Sequence, residues 1–143
     1  MFVDTNVLVY ARFVEAPNHQ LARGSLENAL AEGEPVRISR QVFREYLAVV
    51  TRPQTWSVPI ARNEALGDIE RLADSFEVLE DGRTVTDWLL LLCRRIPVGG
   101  KQIHDANIVA TMLAYGEDRL LTFNEADFRR FQDHIQLVEP TTN

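Results

Sequence analysis

The segment Met1-Phe2-Val3-Asp4-Thr5-Asn6-Val7-Leu8-Val9-Tyr10-Ala11 indicates the fold class of this 143-residue chain. Its apolar start, Met1 to Val3, is typical of a buried strand, and Val7 to Arg12 predicts a short helix soon after it. Three polar residues, Asp4 to Asn6, separate the two in a stretch that is otherwise apolar. This pattern is typical of a strand that runs into a helix through a polar turn.

The rest of the chain repeats this alternation of short strands and amphipathic helices. Further strands are predicted at 36–38, 76–79, 120–123 and 135–138, and further helices at 19–30, 40–52, 61–75, 83–95, 104–115 and 125–131. Asn18 and Ser39 are predicted to cap the helices that follow them, while Gly33 and Pro53 end those helices. Strands separated by helices predict a mostly parallel sheet with helices on both faces. We therefore expect one α/β domain over residues 1–143.

Composition excludes several classes of protein. Apolar residues make up 45% and charged residues 25%, which excludes a disordered or collagen-like chain. Cys93 is the single cysteine, so an intrachain disulfide and a cysteine-built zinc site are excluded. Asp4 stands where a signal peptide would carry positive charge, and the longest apolar run, Trp88 to Cys93, is too short to span a membrane. We expect a cytoplasmic protein with no membrane partner.

The charge balance argues against a generally basic surface for nucleic acid, because the net charge is −6. However, 14 of the 15 basic residues are arginine, which binds phosphate in a bidentate manner and could form local patches. The candidates for holding a phosphate backbone near the polar strand ends are Arg12, Arg40, Arg44 and Lys101. A solvated surface charge is the commoner role for each of them.

Two acidic residues follow the first two predicted strands. Asp4 directly follows strand one, and ligands of open α/β sheets bind at the carboxyl ends of the strands. The alternative for Asp4 is a simple cap of the next helix. Glu45 lies at the edge of an apolar helical stripe after strand two. Its alternative is a boundary glutamate that pairs with Arg44 or Arg52.

Asp105 gives a sharper signal. It lies on the line of Val109 and Met112, in a helix that is apolar around most of its circumference. A carboxylate directed toward a core costs free energy unless it is paired, hydrogen-bonded or bound to a metal. The alternative is an acid in the first helical turn that caps the helix or interacts with its dipole.

A fourth polar cluster follows the strand predicted at 120–123. Thr122 and Asn124 are one strand period apart, so their side chains share a face at the strand end. Asp127 reaches the same region if the next segment turns back as a helix. The alternative for Asn124 is ordinary helix capping.

Several carboxylates at one sheet edge repel one another unless a cation neutralises them. Ligands made only of hard oxygen atoms select Mg²⁺ or Mn²⁺ rather than zinc. Such an ion activates water, polarises a phosphoryl group and supports the leaving oxygen, which suits hydrolysis of a phosphodiester. A metal would also reconcile an acidic protein with a nucleic-acid substrate.

Four segments, taken in order, resemble the PIN-domain nucleases, and specifically the VapC-type toxins of bacterial toxin–antitoxin modules. The segments are Phe2-Val3-Asp4-Thr5-Asn6-Val7-Leu8-Val9-Tyr10-Ala11, Ser39-Arg40-Gln41-Val42-Phe43-Arg44-Glu45-Tyr46 with Thr51-Arg52-Pro53, His104-Asp105-Ala106-Asn107-Ile108-Val109-Ala110, and Leu120-Leu121-Thr122-Phe123-Asn124-Glu125-Ala126-Asp127-Phe128. The resemblance implies a three-layer α/β/α sandwich and an endoribonuclease that depends on Mg²⁺ or Mn²⁺. It also implies an RNA substrate, a homodimer and a cognate antitoxin protein.

The resemblance further implies roles for individual residues. Asp4, Glu45 and Asp105 match the acidic metal cluster of the family. Thr5 and Thr122 match supporting hydroxyl groups, and Asn6 matches a residue that orients Asp4. Family members often carry an acid where this chain has Asn124, which adds no charge, so Asp127 is the candidate for the fourth catalytic carboxylate.

Other functions fit the residues less well. A non-catalytic PIN-like module that binds RNA or a protein is the main alternative, although such a module would be expected to lose Asp4 or Asp105. A phosphatase of the haloacid dehalogenase type would need a second aspartate where Asn6 stands. A receiver-like domain would need an aspartate after a middle strand, where only the loop residue Asp81 is found.

Overall fold

The computed structural model describes residues 1–142 and contains one five-stranded sheet flanked by helices. The strands β1 to β5 are Phe2–Val3, Arg37–Ser39, Glu77–Leu79, Arg119–Leu121 and Gln136–Val138. The helices α1 to α7 are Thr5–Arg12, His19–Ala31, Arg40–Val50, Arg62–Ser75, Arg83–Arg95, Gln102–Ala114 and Glu125–Phe128, and a 3₁₀ turn follows at Arg129–Phe131. The predicted α/β/α fold is therefore confirmed.

The sheet is parallel throughout and has the strand order β3-β2-β1-β4-β5. β1 is central, because Phe2 is in register with Arg37 of β2 and Leu120 of β4. From β1 the chain first builds outward on one side, through β2 and β3, and later on the other side, through β4 and β5. The strand order thus reverses beside β1, and side chains that follow the carboxyl ends of β1 and β4 meet at this switch point.

Burial explains why these short strands form. Phe2, Val3, Ile38 and Leu120 have no exposed surface, as expected for parallel strands covered on both faces. Helix α6 contributes a continuous buried run from Ile108 to Met112. No helix within residues 1–142 is long and apolar enough to cross a membrane.

Two predicted helix caps are wrong. Asn18 precedes α2, but its backbone is left-handed (φ 62°) and its side chain makes no capping hydrogen bond. Ser39 precedes α3 without capping it, and its buried Oγ has no hydrogen-bond partner among residues 1–142. Asp4 instead caps α1, which therefore begins at Thr5 rather than at Val7.

The face predicted for α4 is only partly correct. Leu66 and Ala73 are exposed, whereas Ala65 and Asp68 are buried. The hydrophobic pattern did not predict which face of α4 is buried. Asp68 is buried because it has charged partners, and a pattern of apolar residues does not include such a position. Helix α6 begins at Gln102, two residues before the predicted start.

Candidate active site

Asp4 lies at the centre of the carboxyl edge of the sheet, and three groups hold it in place. Its Oδ1 accepts a hydrogen bond from the Thr5 backbone N–H (2.8 Å). Its Oδ2 accepts one from Thr122 Oγ1 (2.7 Å) and one from Asn6 Nδ2 (3.0 Å). The side chain therefore caps α1 and also faces the residues that follow β4. The two interpretations of Asp4, a helix cap and a site residue, are compatible.

Glu45 is held by hydrogen bonds from neutral donors. Thr5 Oγ1 donates to Glu45 Oε2 (2.8 Å), and Gln41 Nε2 donates to Glu45 Oε1 (2.7 Å). No arginine within residues 1–142 forms a salt bridge with Glu45, so the alternative of pairing with Arg44 or Arg52 is wrong. Glu45 is thus fixed beside Asp4 by Thr5, the residue that directly follows Asp4.

A second layer of amides ties Glu45 to the start of α6. The buried Gln41 also donates to the backbone carbonyl of His104 (2.8 Å), and Asn107 Nδ2 donates to Gln41 Oε1 (2.8 Å). Helices α3 and α6 are therefore joined next to Asp105. Sequence reasoning assigned no role to Gln41 or Asn107. The available signal was the i, i+4 spacing of Gln41 and Glu45 on one helix face.

Asp105 is half-buried, and its carboxylate accepts no hydrogen bond within residues 1–142. The side chain does not cap α6, so the capping alternative is wrong. Burial, and then the nearby Asp127 and Glu45, raise the pKa of Asp105 to about 6, although Arg130 and His104 oppose the increase. Asp105 therefore lies close enough to Asp127 and Glu45 to be repelled by both.

Asp4 shows the same electrostatic pattern. Burial is the main cause that raises the pKa of Asp4 to about 6, and the neighbouring Glu45 and Asp105 contribute to this increase. Hydrogen bonds from Thr122 and Thr5 oppose it. Within residues 1–142, none of the salt bridges involves Asp4, Glu45, Asp105 or Asp127. Arg130 and His104 oppose the increase in the pKa of Asp105 without forming a salt bridge with it, so the described part of the chain compensates the charge of these acids only in part.

The chemistry of this acidic cluster, defined as Asp4, Glu45, Asp105 and Asp127, fits a hard divalent cation. All its ligand atoms are carboxylate oxygens, which Mg²⁺ and Mn²⁺ prefer. In residues 1–142 no three acidic, histidine or cysteine side chains converge tightly enough to form a ready-made cage. The carboxylates match such an ion in type and charge, and three of them, Asp4, Glu45 and Asp105, line the same cleft.

The acidic cluster opens into a cleft of about 750 Å³. Asp4, Glu45 and Asp105 line it together with Thr5, Asn6 and Asn124. Asn124 directly precedes α7, but its side chain makes no capping hydrogen bond, so ordinary capping does not explain it. Its backbone N–H donates to Thr122 Oγ1 (2.9 Å) and so fixes the hydroxyl that supports Asp4. Thr122 itself is buried beneath the cleft.

Two of the four predicted phosphate-binding cations, Arg12 and Arg40, line neither the cleft nor the smaller groove on the other side of Glu45. Arg12 Nε donates to Asp68 Oδ2 (2.9 Å) on α4, and Arg40 forms a bidentate pair with Glu80 (2.7 and 3.2 Å). Both guanidinium groups are already paired with carboxylates. The expectation that these two residues lie beside the acids is therefore not met.

Three other cations do surround the acidic cluster. Lys101 lines the cleft, as predicted, and Arg44 lines a smaller groove on the other side of Glu45. Arg52 also lines the cleft, and sequence reasoning had considered it only as a partner for Glu45. The sequence signal for a role of Arg52 was the segment Thr51-Arg52-Pro53, because its proline ends α3 and leaves Arg52 just past the end of that helix.

The chain matches the family model of the PIN domain over residues 1–133, nearly its whole length. The chain belongs to the PIN domain family. Among curated relatives, ribonuclease VapC48 of Mycobacterium tuberculosis is 30% identical to this PIN domain over 139 residues. That alignment covers 96% of this chain and 94% of the relative.

Solved structures show the same fold. A toxin–antitoxin complex from Klebsiella pneumoniae matches this PIN domain with a TM-score of 0.66 and 18% identity, covering 99% of this chain and 98% of the other. VapC20 of Mycobacterium tuberculosis, described as a sarcin–ricin loop cleaving toxin, matches with a TM-score of 0.67 and 18% identity. The match covers 90% of this chain and 92% of the VapC20 chain.

Proposed function

We propose that this PIN domain is the toxin of a toxin–antitoxin module, a metal-dependent endoribonuclease that acts on RNA in the cytoplasm as a single domain. The observation that carries the proposal is the acidic cluster: Asp4, Glu45 and Asp105 line one cleft, the exposed Asp127 lies near Asp105, and none of the four forms a salt bridge in the described part of the chain. A buried charge without a partner is costly, and proteins retain such groups where they function. The printed function of the relative VapC48, a ribonuclease, supports this activity.

Asp4, Glu45 and Asp105 would hold the ion, Mg²⁺ or Mn²⁺, with Asp127 as the fourth carboxylate. When bound, the ion would supply positive charge to a phosphoryl oxygen and lower the pKa of a coordinated water. Asn124 stands where an acid is common in the family. It would offer an amide to water or phosphate without adding charge.

The remaining residues of the site position these acids. Asn6, Thr122 and the Thr5 N–H fix both oxygens of Asp4, while Thr5 and Gln41 fix both oxygens of Glu45. Asp105 lines the cleft and its carboxylate accepts no hydrogen bond in residues 1–142, so one of its oxygens is available to accept the proton of the attacking water. In-line attack on the phosphodiester would leave 5′-phosphate and 3′-hydroxyl ends.

Lys101, Arg44 and Arg52 surround the acids, and we propose that they bind the RNA backbone on either side of the cut. We also propose a cognate antitoxin partner and a homodimer. The toxin–antitoxin complex from Klebsiella pneumoniae, which shares this fold, supports such a partner. An arginine of the antitoxin would be suited to pair with the acidic cluster and block the cleft.

RNA cleavage by the purified protein tests the proposal. We expect cleavage with Mg²⁺ or Mn²⁺, none with EDTA, and none by Asp105→Ala. The matched control is Asp87→Ala, which removes an exposed acid of α5 outside the cleft and should cleave like the wild type. Cleavage that persists in EDTA or in Asp105→Ala would overturn the metal mechanism. Cleavage of no RNA would favour a non-catalytic binding module.

A further inference from the structure

The cleft has a second wall that the acidic cluster does not use. Besides the acids it is lined by apolar and aromatic side chains, among them Val9, Tyr10, Val49 and Trp56. A volume of about 750 Å³ exceeds the space that a hydrated ion and one phosphate group occupy. The rest of the cleft is therefore lined partly by these apolar and aromatic side chains, which do not bind a charged phosphate group.

Trp56 is the largest side chain of this aromatic wall, and its ring is firmly held. It makes edge-type contacts with Phe13 (centroids 5.2 Å apart, planes at 66°) and with Tyr10 (6.2 Å, 73°). Trp56 is only partly buried, and within residues 1–142 no aromatic ring is stacked parallel to it. A rigid, partly exposed indole without an internal stacking partner is suited to stacking on a ligand.

The loop that carries Trp56 is ordered by its own hydrogen bonds. The Gln54 N–H donates to the Ser57 carbonyl (3.0 Å), and the Ile60 N–H donates to the Val50 carbonyl at the end of α3 (3.1 Å). Gln54 Nε2 donates to the Val49 carbonyl (3.1 Å). The loop therefore presents Trp56 in a fixed position, which lowers the entropic cost of binding.

We propose that Trp56 is a base-stacking subsite for one unpaired nucleotide of the substrate. This inference rests on the proposed ribonuclease function. A nucleobase is the uncharged, flat part of a nucleotide, and it matches an aromatic wall as phosphate does not. In a duplex both faces of each base are covered by its neighbours, so an unpaired nucleotide is required. Arg52 lies near Trp56 in the chain and also lines the cleft, so the adjoining phosphate would find a cation.

Tryptophan fluorescence tests the subsite without requiring cleavage. The chain has two tryptophans, so Trp88→Phe leaves Trp56 as the sole reporter and Trp56→Phe leaves Trp88 on α5. Both are made in an Asp105→Asn background to prevent cleavage. We expect single-stranded RNA oligonucleotides to quench Trp56 but not Trp88, and a duplex of the same sequence to quench neither. We expect Trp56→Leu to weaken binding of the single strand about 10-fold.

Failure of this inference and failure of the proposed function give different results. Equal quenching by duplex and single strand, equal responses of the two tryptophans, or unchanged affinity in Trp56→Leu would overturn the stacking subsite. Quenching of Trp56 by single strands, with no metal-dependent cleavage by the wild type, would support the subsite while overturning the nuclease. Circular dichroism of Trp56→Leu, matched to that of the wild type, shows that weaker binding does not come from unfolding.

Discussion

Two buried aspartates of this protein, Asp4 and Asp68, have opposite surroundings. Their exposed fractions are nearly equal, 5% and 6%. Around Asp68, on α4, the Tyr46 hydroxyl donates at 2.6 Å, Arg12 at 2.9 Å and Arg71 at 2.5 Å. Around Asp4 the donors are neutral.

The pKa values of the two groups differ accordingly. Burial alone would raise the pKa of Asp68, but hydrogen bonds from Tyr46, Arg71 and Arg12 outweigh it and hold the pKa below its ordinary value. Burial raises the pKa of Asp4 to about 6, and no arginine opposes it. Asp68 is thus compensated within the fold. Asp4 belongs to a site whose compensation we expect from an external cation.

The largest expected effect separates the two aspartates by activity. We expect Asp4→Asn to lower cleavage about 10³-fold, because it removes a charged metal ligand while the Thr5 N–H keeps an acceptor. Asp68→Asn should cleave RNA at nearly the wild-type rate once the folded fraction is taken into account. Initial rates at saturating Mg²⁺ check both variants. Equal losses in the two would mean that burial, not the acidic cluster, sets the activity.

The next effect concerns stability, and here Asp68 is the aspartate whose substitution has the large effect. We expect Asp68→Ala to lower the free energy of unfolding by about 3 kcal/mol, because it leaves Arg12 and a buried Tyr46 hydroxyl without their acceptor. Urea denaturation measures this loss. The control, Arg71→Ala, removes only a largely exposed partner and should cost less than about 1 kcal/mol. Similar losses in the two variants would contradict the conclusion that Asp68 is the shared acceptor of Tyr46, Arg12 and Arg71.

The smallest effect is a gain in stability. We expect Asp105→Asn to stabilise the metal-free protein by about 1 kcal/mol near neutral pH, or about 3 °C in Tm, because it removes a charge that is disfavoured by burial and by repulsion from Asp127 and Glu45. The value is discounted because the side chain is half-exposed. Thermal unfolding with EDTA provides the measurement, and the inactive variant should be the more stable protein.

The pH dependence supplies the control for this gain. The folded-state pKa of Asp105 is raised to about 6, so between its ordinary value of 3.8 and 6 the folded state binds more protons than the unfolded state. Stability therefore falls as the pH rises through this interval, and Asp105→Asn does not show this fall. The difference in Tm between variant and wild type should vanish near pH 4 and reach its full value above pH 6. A difference that does not change with pH would exclude charge repulsion as its cause.

Sequence reasoning predicted that Asp4, Glu45 and Asp105 lie together, and these three side chains do line one cleft. Asp4 and Thr122 directly follow parallel strands, and the parallel topology alone brings such positions to one edge. Asp105 was predicted to be a site residue because a carboxylate on an apolar helical face costs free energy unless it is paired, hydrogen-bonded or bound to a metal. These inferences needed only local patterns and a fold class.

The surroundings of Asp68 could not be predicted in this way. Arg12 is 56 residues from Asp68, and nothing in either local pattern indicates that their helices meet. Arg12 therefore seemed available for phosphate. The same limit applies to Asn107 and Gln41, which are 66 residues apart and joined by a single hydrogen bond. Pairings between polar groups of distant helices depend on packing geometry, which hydrophobic periodicity does not encode.

Calorimetric titration of Mn²⁺ into the metal-free protein tests the central claim, that the uncompensated acids are a cation site. We predict binding by the wild type, at least 10-fold weaker binding by Asp105→Asn, and unchanged binding by Asp68→Asn. Asp105→Asn keeps the shape of the side chain and removes its charge, so the comparison isolates the carboxylate. Absence of binding in the wild type, or equal affinity in wild type and Asp105→Asn, would contradict the account.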